Sequence, residues 1–294
     1  MDGKDLQIAK LLLKNCRTTY REISEELDLS VNAIYKRVQN MIDEGLIKSF
    51  TAKPSLIALN GIEILIYGRT KSLGLEKLSK NLGNHESTYF IGIAAGNMIY
   101  INGYLRNISE LHEYSTFVNK IGKLQTSTTC IRKLPYRITS ETLTSLDYEI
   151  LKVLNNNARR SVSDFADEVG VSAKTARKRI KKMEMYNLVD FSINFAPQML
   201  TSQFHISLNP DKDYFKEFQR LNKTYTDNIL YLQQFSNIPN LIMMTALTKT
   251  NQESANLHNN LQKEGFKDLL HHIFYNGYFF ETWRDLLYRE KLNQ

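Results

Sequence analysis

Residues 5–50 read DLQIAKLLLKNCRTTYREISEELDLSVNAIYKRVQNMIDEGLIKSF, and residues 147–192 read DYEILKVLNNNARRSVSDFADEVGVSAKTARKRIKKMEMYNLVDFS. Laid together without a gap, at an offset of 142 positions, they match at Asp5/Asp147, Ile8/Ile150, Leu12/Leu154, Asn15/Asn157 and Arg17/Arg159. Matches continue at Glu26/Glu168, Ser30/Ser172, Lys36/Lys178, Arg37/Arg179, Met41/Met183 and Leu46/Leu188. The chain is therefore an internal duplication, and its architecture has to be read twice.

Within each copy the apolar spacing is helical: Ile8, Leu11 and Leu12 in the first, Ile150, Val153 and Leu154 in the second. A second helix opens at Thr19-Tyr20-Arg21-Glu22, mirrored by Ser161-Val162-Ser163-Asp164, where an N-cap hydroxyl and a carboxylate three residues on can satisfy first-turn amides. It buries Ile23 and Leu27, or Phe165 and Val169. A tight turn, Asp28-Leu29 or Gly170-Val171, leads to Ser30 or Ser172, each a good N-cap for a third helix that buries Ile34, Val38 and Met41, or Ala176, Ile180 and Met183. Gly45 and Asn187 stand where a left-handed C-cap is expected, and an extended segment follows. Three helices and a wing are predicted for each copy.

A plain three-helix bundle would share this periodicity but would mix acidic residues over its outer face. Here the third helix carries Asn32, Tyr35, Lys36, Gln39 and Asn40 outward in copy one. Copy two carries Lys174, Thr175, Arg177, Lys178, Lys181 and Lys182. With Arg37 and Arg179 of the shared Lys-Arg pair, these are the candidate DNA contacts, because such side chains reach phosphates and base edges once a helix lies in a major groove. The basic residues concentrate on the second helix, which should grip phosphate harder; the amides and tyrosine of the first suit base-directed contacts.

After each helix-turn-helix the pattern changes. Strands are predicted at Ile62–Tyr67, Thr88–Ala94, Met98–Leu105 and Leu124–Leu134, with helices at Leu75–Leu82 and Ser109–Ile121, the β-α-β-β-α-β order of a ferredoxin-like unit. Gln203–Leu208, Tyr214–Leu221, Ile229–Phe235, Leu241–Leu247, Gln252–Glu264 and Leu269–Phe280 fill the same slots in the second copy, and a short helix runs from Trp283 to Leu292. The expected class is α+β, with a winged helix-turn-helix over 1–56, a ferredoxin-like domain over 57–138, a second winged helix-turn-helix over 139–199 and a second ferredoxin-like domain over 200–294. A polar stretch around Thr139 to Ser145 joins the halves.

A helix-turn-helix of the form D-x-x-I-x-x-x-L-x-x-N-x-R, then S-x-x-x-x-x-K-R and a G-L-I ending, followed by β-α-β-β-α-β, resembles the Lrp/AsnC (feast/famine) transcription regulators of archaeal type with their RAM-type domains. The likeness spans nearly the whole chain, twice. Such regulators usually hold one unit and dimerise through the α+β domain, so the resemblance implies two protomers fused in tandem. It also implies double-stranded DNA as partner, a small-molecule effector near Gly96 and Asn97, and either a homo-oligomer or an intrachain pseudo-dimer. The family places an Asp three residues beyond that glycine, where this chain has Ile99; the second copy has Ser236-Asn237-Ile238-Pro239-Asn240, which argues against an amino-acid effector. The sirohaem decarboxylases resemble Lrp/AsnC proteins in fold and supply the enzyme alternative. An architectural chromatin protein is a third possibility.

Composition is that of an ordinary globular chain: 294 residues, 42% hydrophobic, 11% aromatic, with a net charge of +7 that favours a polyanionic partner. The polar start Met-Asp-Gly-Lys-Asp lacks the apolar run of a signal peptide, and no stretch reaches roughly 18 apolar residues. The expectation is a cytoplasmic, nucleoid-associated protein without a membrane partner. Cys16 and Cys130 have no metal-like spacing and read as reduced core thiols. His258, His271 and His272 do not read as a metal site, since adjacent strand residues face opposite ways. Tyr275, Tyr278, Phe279, Phe280 and Trp283 read as core or interface. No phosphate-cradling glycine loop or nucleophile elbow occurs, so neither catalysis nor a cofactor is expected.

Overall fold

The computed structural model describes residues 1–134, 140–209, 211–266 and 268–290. Thr139 of the expected joining stretch and Leu292, the expected end of the final helix, lie outside them. In chain order the elements are α1 (Gly3–Lys14), α2 (Tyr20–Leu27), α3 (Val31–Asp43), β1 (Ile47–Pro54), β2 (Ile62–Thr70), α4 (Leu75–Gly83), β3 (Thr88–Ala94), β4 (Met98–Leu105), α5 (Leu111–Gly122) and β5 (Leu124–Ile131). The second half runs α6 (Ser145–Leu154), α7 (Val162–Val169), α8 (Ala173–Met185), β6 (Val189–Phe195), β7 (Leu200–Ser207), α9 (Tyr214–Thr224), β8 (Ile229–Gln234), β9 (Leu241–Thr248), α10 (Asn251–Lys263), β10 (Leu269–Phe279) and α11 (Trp283–Glu290). The four segments expected in series gather two by two: residues 1–60, 136–198 and 284–294 form one compact unit, and residues 61–135 and 199–283 another.

In the first unit the caps set the helix boundaries. Thr19 and Glu22 form a complete capping box, while Ser30 and Ser172 accept from the amides of Ala33 and Thr175. Gly45 (φ 71°) and Asn187 (φ 51°) close α3 and α8 in the left-handed conformation. The strand after each third helix is not a free wing. β1 and β6 pair with each other, antiparallel, from Ile47 opposite Phe195 to Pro54 opposite Val189. The register slips near Lys48, so β1 holds one extra residue and Phe50, rather than Ser49, becomes the counterpart of Phe191. The gapless alignment therefore holds only as far as Ile47.

The exchange goes further than the strands. α1 packs on β6 and α6 on β1, so each copy's first helix rests against the other copy's strand. One continuous core results, with Ile8, Leu12, Ile34 and Val38 joined to Ile150, Leu154, Phe165 and Ile180. Separating the copies would expose that core to water, at about 25 cal/mol for each Å² uncovered.

In the second unit eight strands form one sheet in the order β5-β2-β4-β3-β10-β7-β9-β8. Each half has the ferredoxin-like order, its fourth strand beside its first. The halves meet reciprocally: β10 pairs with β3 from Phe274 opposite Ala94 to Phe279 opposite Phe90, and β5 reaches β8 through the bridge of Arg132 with Phe235. Asn237 reinforces the second junction, accepting from the Ile131 amide and donating to Thr129 O, both at 2.8 Å. The loop that departs from the family pattern thus clamps the opposite half. Ile64, Ile91 and Ile101 face α4 and α5, Phe204, Ile242 and Met244 face α9 and α10, and Tyr100, Cys130, Phe235 and Met243 lie between the halves.

Candidate nucleic-acid interface

Helices α3 and α8 hold their registers by identical means. Ile34, Val38 and Met41 are buried on one, Ala176, Ile180 and Met183 on the other. With three residues inward at i, i+4 and i+7, five equivalent positions turn outward. These are occupied by Asn32 and Lys174, Tyr35 and Arg177, Lys36 and Lys178, Gln39 and Lys181, Asn40 and Lys182. The second copy is cationic at all five, the first at one.

The local partners sharpen this difference. Lys174, Arg177, Lys178 and Lys181 are exposed and make no ion pair among the described residues, whereas Lys182 pairs with Glu141. Thr175, the sixth outward candidate of this helix, shares its hydroxyl with Ser172 at 2.9 Å. On α3, Gln39 donates to Asp43 at 2.9 Å, while Asn32, Tyr35, Lys36 and Asn40 are exposed.

Arg37 and Arg179, grouped with the outward residues on sequence, are turned the other way. Arg37 ties α3 to the start of α1 through Asp2 at 2.9 Å and Asp5 at 2.6 Å. Arg179 ties α8 to α6 through Asp147, accepting 2.7 Å from its Nε, and to the Thr144 hydroxyl at 2.7 Å. Their fork-shaped guanidiniums are spent on carboxylates. Arg37 with Asp5 recurs as Arg179 with Asp147, and that paired retention of acid and base is a sequence signal that could have marked a structural role.

The two helix-turn-helix units are related by an approximate twofold axis that a second pair of arginines makes visible. Arg17 donates to the carbonyls of Ala158 and Arg160, and Arg159 donates to those of Cys16 and Thr18, so equivalent residues exchange equivalent bonds. The backbone repeats the exchange: Cys16 N donates to Phe191 O and Ala158 N to Phe50 O, both at 2.9 Å. Neither arginine was singled out on sequence, although both matched in the duplication.

Other residues weighed on sequence fall as follows. Gly96 (φ 74°) and Asn97 (φ 59°) form the exposed turn between β3 and β4. His271 stacks on Phe204, ring centroids 4.2 Å apart, beside His258, while His272 turns inward to Tyr100, whose hydroxyl lies 2.5 Å from its Nδ1 and 2.8 Å from His205 Nε2. Burial draws His205 down to about 3, helped by His272. His205 was missed because a lone histidine in a strand carries no sequence signal. Trp283 is buried and donates to Tyr104 O at 2.8 Å, but Tyr275 and Phe279 are 59% and 72% exposed, contrary to the core expectation for that aromatic run. Cys16 and Cys130 are buried thiols, both pushed up to about 12 by burial. Among the described residues no cluster of three His, Cys, Asp or Glu could hold a metal, and no helix is long and apolar enough to cross a membrane.

Residues 1–48 match a family described as winged helix-turn-helix DNA-binding, and residues 143–184 match the AsnC-type helix-turn-helix domain. The chain therefore carries two helix-turn-helix domains, the second of them AsnC-type. Among similar proteins, an HTH-type transcriptional regulator of Pyrococcus horikoshii is 37% identical over 82 residues, 28% of this chain and 51% of that protein. The HTH-type transcriptional regulator LysM of Sulfurisphaera tokodaii is 28% identical over 139 residues, 46% of this chain and 96% of LysM. The chain thus spans from about half of some relatives to nearly all of others, and one nearly whole relative corresponds to less than half of this duplicated chain. The crystal structure of the siroheme decarboxylase NirDL has the same tandem fold, with a TM-score of 0.63 at 11% identity, covering 99% of this chain and 98% of that one.

Proposed function

We propose that this protein is a sequence-specific DNA-binding transcription regulator that reads two adjacent major grooves with α3 and α8. The observation carrying the reading is the outward face of α8, where four exposed cations without ion pairs among the described residues stand at the positions a groove-bound helix turns to DNA. The two readers share one core and an approximate twofold axis, which suits half-sites about one helical turn, roughly 34 Å, apart. Residues 1–56 and 139–199 act as readers, and 57–138 and 200–294 as assembly and sensing domains, with any effector sought near Gly96 and Asn97. No catalysis is ascribed to the chain, and a cytoplasmic, nucleoid-associated place goes with the role. On this reading Asn32, Tyr35, Lys36 and Gln39 contact one half-site and Lys174, Thr175, Arg177, Lys178, Lys181 and Lys182 the other.

The test is selection from random duplex DNA followed by titration at several salt concentrations. An enriched motif supports the regulator, and a flat distribution replaces it by an architectural protein. The triple variant R177A/K178A/K181A should reduce the salt slope by about two to three, as three lost phosphate contacts require. The triple variant Y35A/K36A/Q39A should reduce it by about one. Equal changes would refute the division between readers.

A second reading, a tetrapyrrole enzyme on the same fold, is favoured by the eight-stranded sheet, where His205 Nδ1, on the ring beside Tyr100, and Gln203 Nε2 are buried without hydrogen-bond partners among the described residues. A visible-absorbance change on adding sirohaem, with no retention of DNA, would select it.

A further inference from the structure

Tyr35 is 54% exposed at the middle of the outward face of α3, yet its ring has a packing partner. It meets Tyr20 edge-on, centroids 6.0 Å apart at 74°. Tyr20 is covered in turn by the guanidinium of Arg159, 4.4 Å from its centroid. Arg159 is fixed by its bonds to the Cys16 and Thr18 carbonyls across the twofold axis. A chain of contacts therefore runs from the second copy's arginine, through Tyr20, to an exposed aromatic on the first reader.

The axis does not repeat it. The positions equivalent to Tyr35 and Tyr20 hold Arg177 and Val162, and Arg17, the mate of Arg159, lies 6.0 Å from Phe165 and 5.9 Å from Phe191. The stacked chain exists once, on the reader with one outward cation, where phosphate attraction alone would bind weakly. A tyrosine already held in place gives up little rotamer freedom on binding, and its ring is apolar enough to meet the 5-methyl group of thymine in a major groove.

We infer that Tyr35 is the specificity-determining side chain of the first reader, positioned by Tyr20 and Arg159 to contact a thymine methyl. This rests on the DNA-reading function proposed above and adds which base feature α3 reads and what aims it.

The test uses the full chain and its variants Y35A, Y35F, Y20V and Y20F in selection from random duplex DNA. The selected site is then remade with deoxyuridine for thymine, which removes only the methyl. Wild type should lose about fourfold in affinity at one thymine, the worth of one buried methyl. Y35A should be indifferent to that replacement and lose the matching base from its motif, with salt slope unchanged. Y35F should behave as wild type. Y20V, which copies the second reader's residue, should blur the same base, and Y20F should restore it. If Y35A selects the wild-type motif, or wild type ignores every deoxyuridine, the assignment to Tyr35 is overturned while DNA reading stands. A wild-type protein that enriches no motif overturns both. Because Tyr35 is exposed, Y35A should fold, and its result decides the matter even if Y20V does not.

Discussion

At the residue scale the two copies solve one problem with different chemistry. Asp147 is 1% exposed, accepts from the Thr144 amide at 2.8 Å and hydroxyl at 2.9 Å, and pairs with Arg179. In copy one the residue equivalent to Thr144 is Asp2, so Arg37 has two carboxylates, Asp2 and Asp5. Removing one acid should therefore matter unequally. Asp147→Ala leaves Arg179 without a carboxylate and should cost roughly 3 kcal/mol. Asp5→Ala leaves Asp2 in place and should cost nearer roughly 1 kcal/mol. Urea unfolding of the two variants measures both, and equal midpoints would contradict the explanation. Sequence could mark these arginines as retained, but not which way they turned, because adjacent helix positions lie 100° apart and the Lys-Arg pair straddles the boundary between outer and inner faces.

At the element scale the decisive event is the pairing of β1 with β6. The apolar pattern of 5–50 reads as a complete small domain, yet Cys16 and Ala52 are fully buried within a core shared with the second copy. Residues 1–60 expressed alone should accordingly lack a cooperative thermal transition, and the full chain should show one for this unit; calorimetry and circular dichroism decide. A close approach elsewhere gives a second case. A Cβ at Gly68 of β2 would collide with the backbone oxygen of Thr126 in β5, an atom unable to yield as a side chain would. Gly68→Ala should destabilise the eight-stranded sheet by more than roughly 1 kcal/mol, visible as a lower melting temperature. A glycine within a strand signals such an approach on sequence without naming the partner.

For the whole molecule, acid is the informative stress. Burial draws His205 down to about 3 and His271 to about 4, and lowers His272, so the folded state resists protonation at these rings where an unfolded chain would take up protons below about 6.5. The stability this represents is whole above pH 6.5 and drains away as pH falls toward 4 and then 3. At pH 5 His205 alone should account for roughly 2 kcal/mol. Melting temperatures recorded from pH 7.5 to 4.5 should fall, and His205→Gln should flatten the slope; an unchanged slope would mean that this histidine is not held neutral.

The amino-acid sequence by itself determined the duplication, the three helices of each helix-turn-helix unit with their caps, and the β-α-β-β-α-β order, because periodicity, N-cap hydroxyls and left-handed C-caps act within a few residues of chain. It also determined that the third helix of the second copy, α8, is more cationic than α3. Only the tertiary structure decided that the strands after the helix-turn-helix units pair across the copies, that eight strands make one sheet, and that Arg37 and Arg179 are spent on acids of their own copies while Arg17 and Arg159 bind the two units together. Arg37 and Arg179 find their acids some 32 residues away within their own copies, whereas the other outcomes depend on which strand edges and carbonyls meet over separations of more than a hundred residues. Local pattern leaves such choices open, since any unpaired strand edge offers the same row of amides and carbonyls.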